Sequence, residues 1–324
     1  MTGLHQMTTS LYKGIRIKSR RGPTVANWED SYSGELSFLR SGFADSAAGL
    51  DLAILGIPYD LGTTGRPGTR MGPRGLREQS VAVGEFIWGV WPWDYHLKER
   101  FKVGDLGDLG GFTAYPDRLC PIAEAKADEV LAAGSTLMSL GGDHFITLPL
   151  LRAHARKYGP LSLVHFDAHS DTWIDDDLNH GTMFWHALQE GIIDPARSIQ
   201  VGLRTPNPDT HGIKIIDGNM LHDLHPHDVA SQIKERVGDS AAYLTFDIDF
   251  LDPAHAPATG TPVSGGPDVT YARRTLQALE GINFVGGDLV EVAPPYEGPH
   301  QKTALAGATL AADILYLLAA ARNA

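Results

Sequence analysis

The sequence predicts a single-domain α/β fold: a three-layer αβα arrangement around a central, mostly parallel sheet of about eight strands. Three observations predict it. Short β-rich apolar runs alternate with segments of helical periodicity from residue 50 onward, the pattern of parallel strands joined by helices. The strand runs are continuously apolar rather than alternating, as in a sheet buried on both faces. No break in composition divides the 324 residues, and α/β folds of this length often form one domain.

In chain order the strand runs are LDLAILGI (50–57), FKVGDL (101–106), TLMSL (136–140), LSLVHF (161–166), SIQVGL (198–203), IKII (213–216), AAYLTF (241–246) and NFVGGDLVEV (283–292). Helical segments lie between several of them. PDRLCPIAEAKADEVLAAG places Leu119, Ile122, Ala123, Ala127, Val130 and Leu131 on one side at helical spacing. TLPLLRAHARKYG, HDVASQIKERVGD and VTYARRTLQALEG each end near a glycine suited to a left-handed cap. Residues 1–30 read as a less regular arm ahead of a catalytic domain over 31–324. The run TALAGATLAADILYLLAAA (303–321) is alanine-rich and interrupted by Asp313. It reads as a buried terminal helix, because a membrane span needs ~20 strongly apolar residues. The N-terminus has no apolar stretch before a small-residue cleavage site, so a cytoplasmic protein is expected.

Charge narrows the partners. There are 27 Lys+Arg against 39 Asp+Glu, a formal net charge of -12. An acid surplus argues against nucleic acid, whose binding rests on neutralising phosphates. It suits a small cationic substrate. The single cysteine, Cys120, excludes an intrachain disulfide and any multi-cysteine metal site, leaving the 14 histidines as the ligand source.

The chemistry sits at strand ends, where parallel α/β sheets bind ligands. TLMSL runs into GGDHF, with Asp143 and His144. LSLVHF runs into DAHSD, with Asp167, His169 and Asp171. AAYLTF runs into DIDFLDP, with Asp247, Asp249 and Asp252. Side chains two apart in an extended segment share a face. Asp167, His169 and Asp171 therefore converge, and so do Asp247 and Asp249. With His144 they aim two imidazoles and four carboxylates at one crevice. Four carboxylates repel and raise one another's pKa unless cations intervene. This oxygen-rich mixed set suits two ions such as Mn²⁺, held ~3.5–4 Å apart with a bridging water of lowered pKa. Asp252, before Pro253, reads as a turn residue. Asp143 reads as a turn former or a support behind the ligands. His165 shares the parity of Asp167 but lies within the strand, and reads as a core histidine beneath the site.

GGDHF, FDAHSDT and TFDIDFLDPAHAPATGTPVSGG resemble the three signature stretches of the ureohydrolase family, which includes arginases and agmatinases. GIPYDLGTTGRPGTRMGPRGLRE (56–78), HGTMF (180–184) and LVEVAP (289–294) match it too, so the resemblance covers nearly the whole chain. HFITLPLLRAHA and LNHGTMFWHALQEGIIDP are most similar to bacterial agmatinases. The resemblance implies an arginase-like fold and a hydrolase of linear amidines, cleaving agmatine to putrescine and urea by attack of a metal-bridging hydroxide. It implies two Mn²⁺ ions, with Ni²⁺ used by some relatives. His144, Asp167, Asp171 and Asp247 would hold one; Asp167, His169, Asp247 and Asp249 would hold the other. His180 of HGTMF matches the family's proton-shuttling histidine. Glu291 of VEVAP matches the carboxylate that pairs with the substrate guanidinium. Asp249 is the candidate to pass a proton to the leaving amine. A homo-oligomer, trimer or hexamer, is implied as well.

The loop WIDDDLN (173–179) joins two site motifs and carries Asp175, Asp176 and Asp177 with no basic residue. It would repel the carboxylate tails of arginine or 4-guanidinobutyrate and attract the ammonium tail of agmatine. Three adjacent aspartates are also what a solvated turn looks like. Two other readings of function stand beside agmatine cleavage. One is action on another small guanidino compound, such as 4-guanidinobutyrate or guanidine. The other is a non-catalytic partner subunit, which the intact six-residue ligand set disfavours. GTTGRPGTRMGP lacks the order of a phosphate loop and reads as a structured loop at the pocket rim, with Arg66 and Arg70 in loop or subunit contacts. WGVWPWDYH (88–96) reads as core packing or a subunit interface.

Overall fold

The computed structural model describes residues 34–86, 93, 95–111, 116–207 and 209–322. The arm expected over residues 1–30 lies outside them, as do Trp88 and Trp91 of the aromatic cluster. Leu36–Ala324 pack as one compact unit. All eight apolar runs form strands, each starting or ending within two residues of the expected bounds: β1 Leu52–Ile57, β2 Val103–Asp108, β3 Thr136–Gly141, β4 Ser162–Phe166, β5 Ile199–Leu203, β6 Lys214–Asp217, β7 Ala242–Asp247 and β8 Phe284–Val290. They make a single sheet in the order β2-β1-β3-β8-β7-β4-β5-β6. Every neighbouring pair is parallel.

The helices are α1 Gly72–Phe86, α2 Leu97–Arg100, α3 Pro116–Ala132, α4 Thr147–Tyr158, α5 Met183–Gln189, α6 Gly218–Asp223, α7 Pro226–Val237, α8 Val269–Gln277 and α9 Lys302–Ala321. Alternation along each strand divides the core in two. Leu52, Ile54, Met138, Val164 and Leu244 pack with Leu76 of α1, Ile233 of α7, Leu276 of α8 and Ile314 of α9. Ala53, Leu55, Leu137, Leu163 and Tyr243 pack with Val130 of α3, Leu151 of α4 and Phe184 of α5. Gly159 and Gly238 close α4 and α7 at positive φ, 79° and 59°. α8 departs from expectation: it stops at Gln277, capped by Ala278, before Gly281 is reached.

α9 is long and apolar enough to cross a membrane, with mean hydropathy 1.8, yet 78% of that window is buried inside this fold. Asp313, its one charge in the run, accepts from Arg273 Nε at 2.7 Å and from Gln277 Nε2 at 3.2 Å. The indole N–H of Trp93 points to the same carboxylate at 3.4 Å. A buried carboxylate is tolerable only with such partners. Trp93 also stacks on Tyr316 at 5.2 Å, so this tryptophan packs in the core.

The chain passes from β3 through α4 to β4, which lies three positions along the sheet; β8 and β7 fill the space between them. The carboxyl ends of β3, β8, β7 and β4 therefore stand side by side at the middle of the sheet. That is where an open parallel sheet binds ligands.

Candidate metal centre

β3 ends at Gly141, and Gly142 follows it. A Cβ on Gly142 would lie 2.2 Å from the Tyr59 carbonyl oxygen, so only glycine fits. Its own carbonyl accepts the Glu291 N–H at 2.9 Å, which ties the end of β3 to the end of β8. Asp143 caps the turn that follows: Oδ1 accepts from Phe145 N at 3.1 Å and Oδ2 from Gly62 N at 2.7 Å. Asp143 is thus a turn former that also fastens the loop carrying Gly62.

This turn presents His144, fully buried. Its Nε2 lies 2.7 Å from Thr245 Oγ1. Thr245 in turn donates to Asp288 Oδ1 at 2.6 Å, and Asp288 Oδ2 accepts from Thr147 and Tyr243 at 2.9 Å each. The Thr245 proton being spent on Asp288, its oxygen accepts, and the ring proton of His144 belongs on Nε2. Nδ1 is left with a lone pair and no hydrogen-bond partner. Around it stand Asp167 Oδ2 at 3.1 Å, Asp171 Oδ2 at 3.1 Å and Asp247 Oδ2 at 3.3 Å. Burial opposes a charge on this ring, but the three carboxylates push its pKa well above the ordinary histidine value. Positive charge is demanded at this point, and a nitrogen with three carboxylate oxygens is a donor set that fits a divalent cation.

A second convergence adjoins it. His169 Nδ1 lies 3.0 Å from Asp249 Oδ2 and 3.3 Å from Asp167 Oδ1. Asp167, fully buried, stands in both groups: candidate ligand atoms of His144, His165, Asp167 and Asp171 lie within 4.8 Å of one another, and so do those of Asp167, His169 and Asp249. Asp247 meets the first group through Oδ2, while its Oδ1 accepts the Asp249 N–H at 2.7 Å. Asp171 carries its carboxylate on a left-handed backbone, φ 51°, a cost that tends to be borne at functional sites. Electrostatics agree with crowding. Burial and the charge on Asp167 raise Asp249 to about 6. Burial and neighbouring carboxylates also raise Asp247. Burial works against the charge on Asp167 too, but His165, His144 and His169 hold its pKa well below the ordinary range.

His165 lies fully buried in the core beside Phe184, as expected. It also touches the site. The Gln200 side-chain amide sits 2.9 Å from its Nδ1, and its Nε2 lies 2.8 Å from Asp167 Oδ2. With the amide donating to Nδ1, the Nε2 proton is directed at Asp167. His165 therefore orients a carboxylate rather than offering a lone pair. Asp252 is a turn residue, accepting from Ala254 N at 2.8 Å and Gly265 N at 2.7 Å.

Glu291, beyond β8, also has a left-handed backbone, φ 65°, and is 1% exposed. Its Oε1 accepts from His144 N and lies against His180 Nδ1, each at 2.9 Å. Its Oε2 is buried with no partner. His180 lies in the turn before α5, 7% exposed. Its Nε2 accepts the Thr64 N–H at 2.9 Å and lies 2.8 Å from Thr64 Oγ1. Burial alone would lower the His180 pKa, but Glu291, with Asp171 and Asp143 behind it, raises it to about 9. The Thr64 N–H works against a second proton on the ring, because it would meet an N–H head-on.

Several of these residues border a cavity of about 490 Å³, and Glu291 lies buried behind them. His169, Asp171, Asp247 and His180 face it, with Trp173, Ile174 and Asp175 from the loop after β4. Of the three loop aspartates only Asp175 lines it. Asp176 and Asp177 are exposed outside it, and the Asp177 N–H donates to Asp175 at 3.0 Å. Arg66 and Arg70 make loop contacts: Arg66 donates to the Thr259 and Gly260 carbonyls, and Arg70 pairs with Asp60. Sequence reasoning missed Thr64, Thr245 and Asp288. An acid inside the apolar run NFVGGDLVEV was a signal for Asp288; nothing local marks Thr64.

The arginase family model matches residues 50–316. The agmatinase of Proteus mirabilis is 46% identical over 308 residues, 92% of this chain and 98% of that protein. Among solved structures, a hypothetical agmatinase from Burkholderia thailandensis superposes with TM-score 0.87 at 44% identity, over 95% of this chain and 97% of that one. The proclavaminate amidino hydrolase of Streptomyces clavuligerus superposes with TM-score 0.84 at 33% identity, over 90% and 99%.

Proposed function

The chain belongs to the arginase family and is a ureohydrolase, and from that premise we propose that its substrate is agmatine, cleaved to urea and putrescine. The observation that carries the choice of substrate is the charge of the cavity. Asp171, Asp175 and Asp247 line it, and among the described lining residues there is no lysine or arginine. A carboxylate tail would find no lysine or arginine there to pair with. An ammonium tail would meet Asp175, and the methylene spacer would lie along Trp173 and Ile174.

His144, Asp167, Asp171 and Asp247 would hold one divalent ion, and Asp167, His169, Asp247 and Asp249 a second. Mn²⁺ is the first choice and Ni²⁺ the alternative. Two such ions supply a water activated at neutral pH and charge stabilisation at the reacting carbon. The protein's own groups do the rest. Glu291 Oε2, buried and unpartnered, is an acceptor for a guanidinium N–H, a charge-assisted bond that fixes the planar head. His180 holds a proton on Nδ1 beside that carboxylate. Asp249 carries a proton toward the leaving nitrogen.

The test is urea release from agmatine, arginine, 4-guanidinobutyrate and guanidine, with the protein loaded separately with Mn²⁺ and Ni²⁺. Release from agmatine above all others is expected. Release from another guanidino compound and none from agmatine, with either metal, overturns the substrate. No release from any of the four would return the chain to a non-catalytic partner role.

A further inference from the structure

The geometry points to Thr64 as a positioning residue: from the pocket rim it holds His180 with a bare Nε2 and its proton on Nδ1, directed at Glu291. The argument starts from the donor. A backbone N–H only donates, and the Thr64 N–H lies 2.9 Å from His180 Nε2. That nitrogen must supply a lone pair, so the proton of a neutral ring sits on Nδ1. The Thr64 hydroxyl, 2.8 Å from the same nitrogen, adds a second donor there. Nδ1–H then points at Glu291 Oε1, 2.9 Å away. That oxygen already accepts from His144 N, so the carboxylate is pinned by two donors through one oxygen. Oε2 stays free.

The loop is itself anchored for this task. Gly62 N donates to Asp143, and Gly62 O accepts the His180 N–H at 2.9 Å. Thr64 is exposed and lines the cavity, while His180 is buried behind it. A residue of the connection between β1 and α1 thus sets the ring that orients a carboxylate beyond β8. The consequence for binding rests on Glu291 being the guanidinium acceptor; the tautomer itself does not.

The experiment is ¹⁵N NMR of the histidine rings in the full-length, substrate-free protein, with His180→Asn identifying the resonance. Recorded above the pH of about 9 at which this ring takes up a second proton, the wild-type spectrum is expected to show His180 protonated on Nδ1 and bare on Nε2. Thr64→Ser keeps that pattern. Thr64→Pro, which removes both the N–H and the hydroxyl, releases the ring to the ordinary Nε2–H form or a mixture. An Nε2–H ring in the wild type overturns the proposal whether or not the proline variant folds. So does a folded proline variant with the wild-type pattern. In the agmatine assay, Thr64→Val raises KM about fivefold, the effect of one lost hydrogen bond, with a smaller change in kcat, and serine restores it. Because the spectrum needs no substrate, it stands even where agmatine proves inert.

Discussion

At the residue scale, the proposed site rests on buried charges placed where only a counter-charge makes them tolerable. Asp175 differs from them, an exposed carboxylate on the cavity wall that water already solvates. Asp175→Asn raises the agmatine KM about two- to fivefold, the range of an exposed ion pair, and leaves kcat and metal content unchanged. The effect shrinks with added salt; an unaltered KM at low salt would remove Asp175 from the substrate's path. Asp249 makes a different prediction. In metal-stripped protein its pKa is raised to about 6, by burial first and by Asp167 second. The folded state then holds the proton more tightly than the unfolded chain. Its contribution favours folding below the ordinary carboxylate pKa of about 4 and is lost as pH rises through about 6. Stripped Asp249→Asn should therefore show a shallower fall in stability than stripped wild type between about pH 4 and 7. Equal slopes in chemical denaturation would mean that Asp249 ionises normally. Period-two spacing made Asp167, His169, Asp171, Asp247 and Asp249 legible in the sequence. The bare lone pair of His144 was not legible, since it depends on Thr245, a hundred residues away in the chain.

Among the elements, the pairing of β7 with β8 does the most for the site. Thr245 and Asp288 are direct neighbours in that register, which is how one strand's hydroxyl comes to link the other strand's carboxylate to His144. Partners of this kind fix a ligating imidazole's tautomer and typically change metal affinity 10–100-fold. Thr245→Val should weaken Mn²⁺ binding by about that factor in equilibrium dialysis, with a far-UV spectrum like the wild type's. Undiminished affinity would mean that His144 needs no such support. The strands themselves were readable because a sheet covered on both faces demands uninterrupted apolar runs. Helices α1 and α5 were not anticipated. α1 begins inside a Gly/Pro-rich stretch that reads as loop, although Pro73 suits a first helical turn. α5 is only 7 residues long, too short to display a helical period.

For the whole molecule, the strand order decides what meets what. Candidate ligands from the ends of β3, β7 and β4 meet because β8 and β7 are inserted between two strands that follow each other in sequence. The sequence names the strand ends that carry the candidate ligands, but that order depends on which long connection crosses which, and no local pattern encodes it. If the proposed ions are bound, stripping them would remove a common tie among these strands and leave the carboxylates unscreened. Thermal unfolding should move down by several degrees on chelation and recover with Mn²⁺, since a ligand at 100 times its Kd contributes about 2.7 kcal/mol. A midpoint indifferent to chelator would separate the cluster from stability altogether. Two divalent ions would also cancel four of the 12 excess negative charges, which concentrates part of the acid surplus in one place. The most direct test of the two-ion centre is a metal count on protein loaded with Mn²⁺ and freed of excess. Two ions per chain are predicted for the wild type and no more than one for His144→Ala. A wild type that retains one ion or none, or a variant that retains both, would contradict the account.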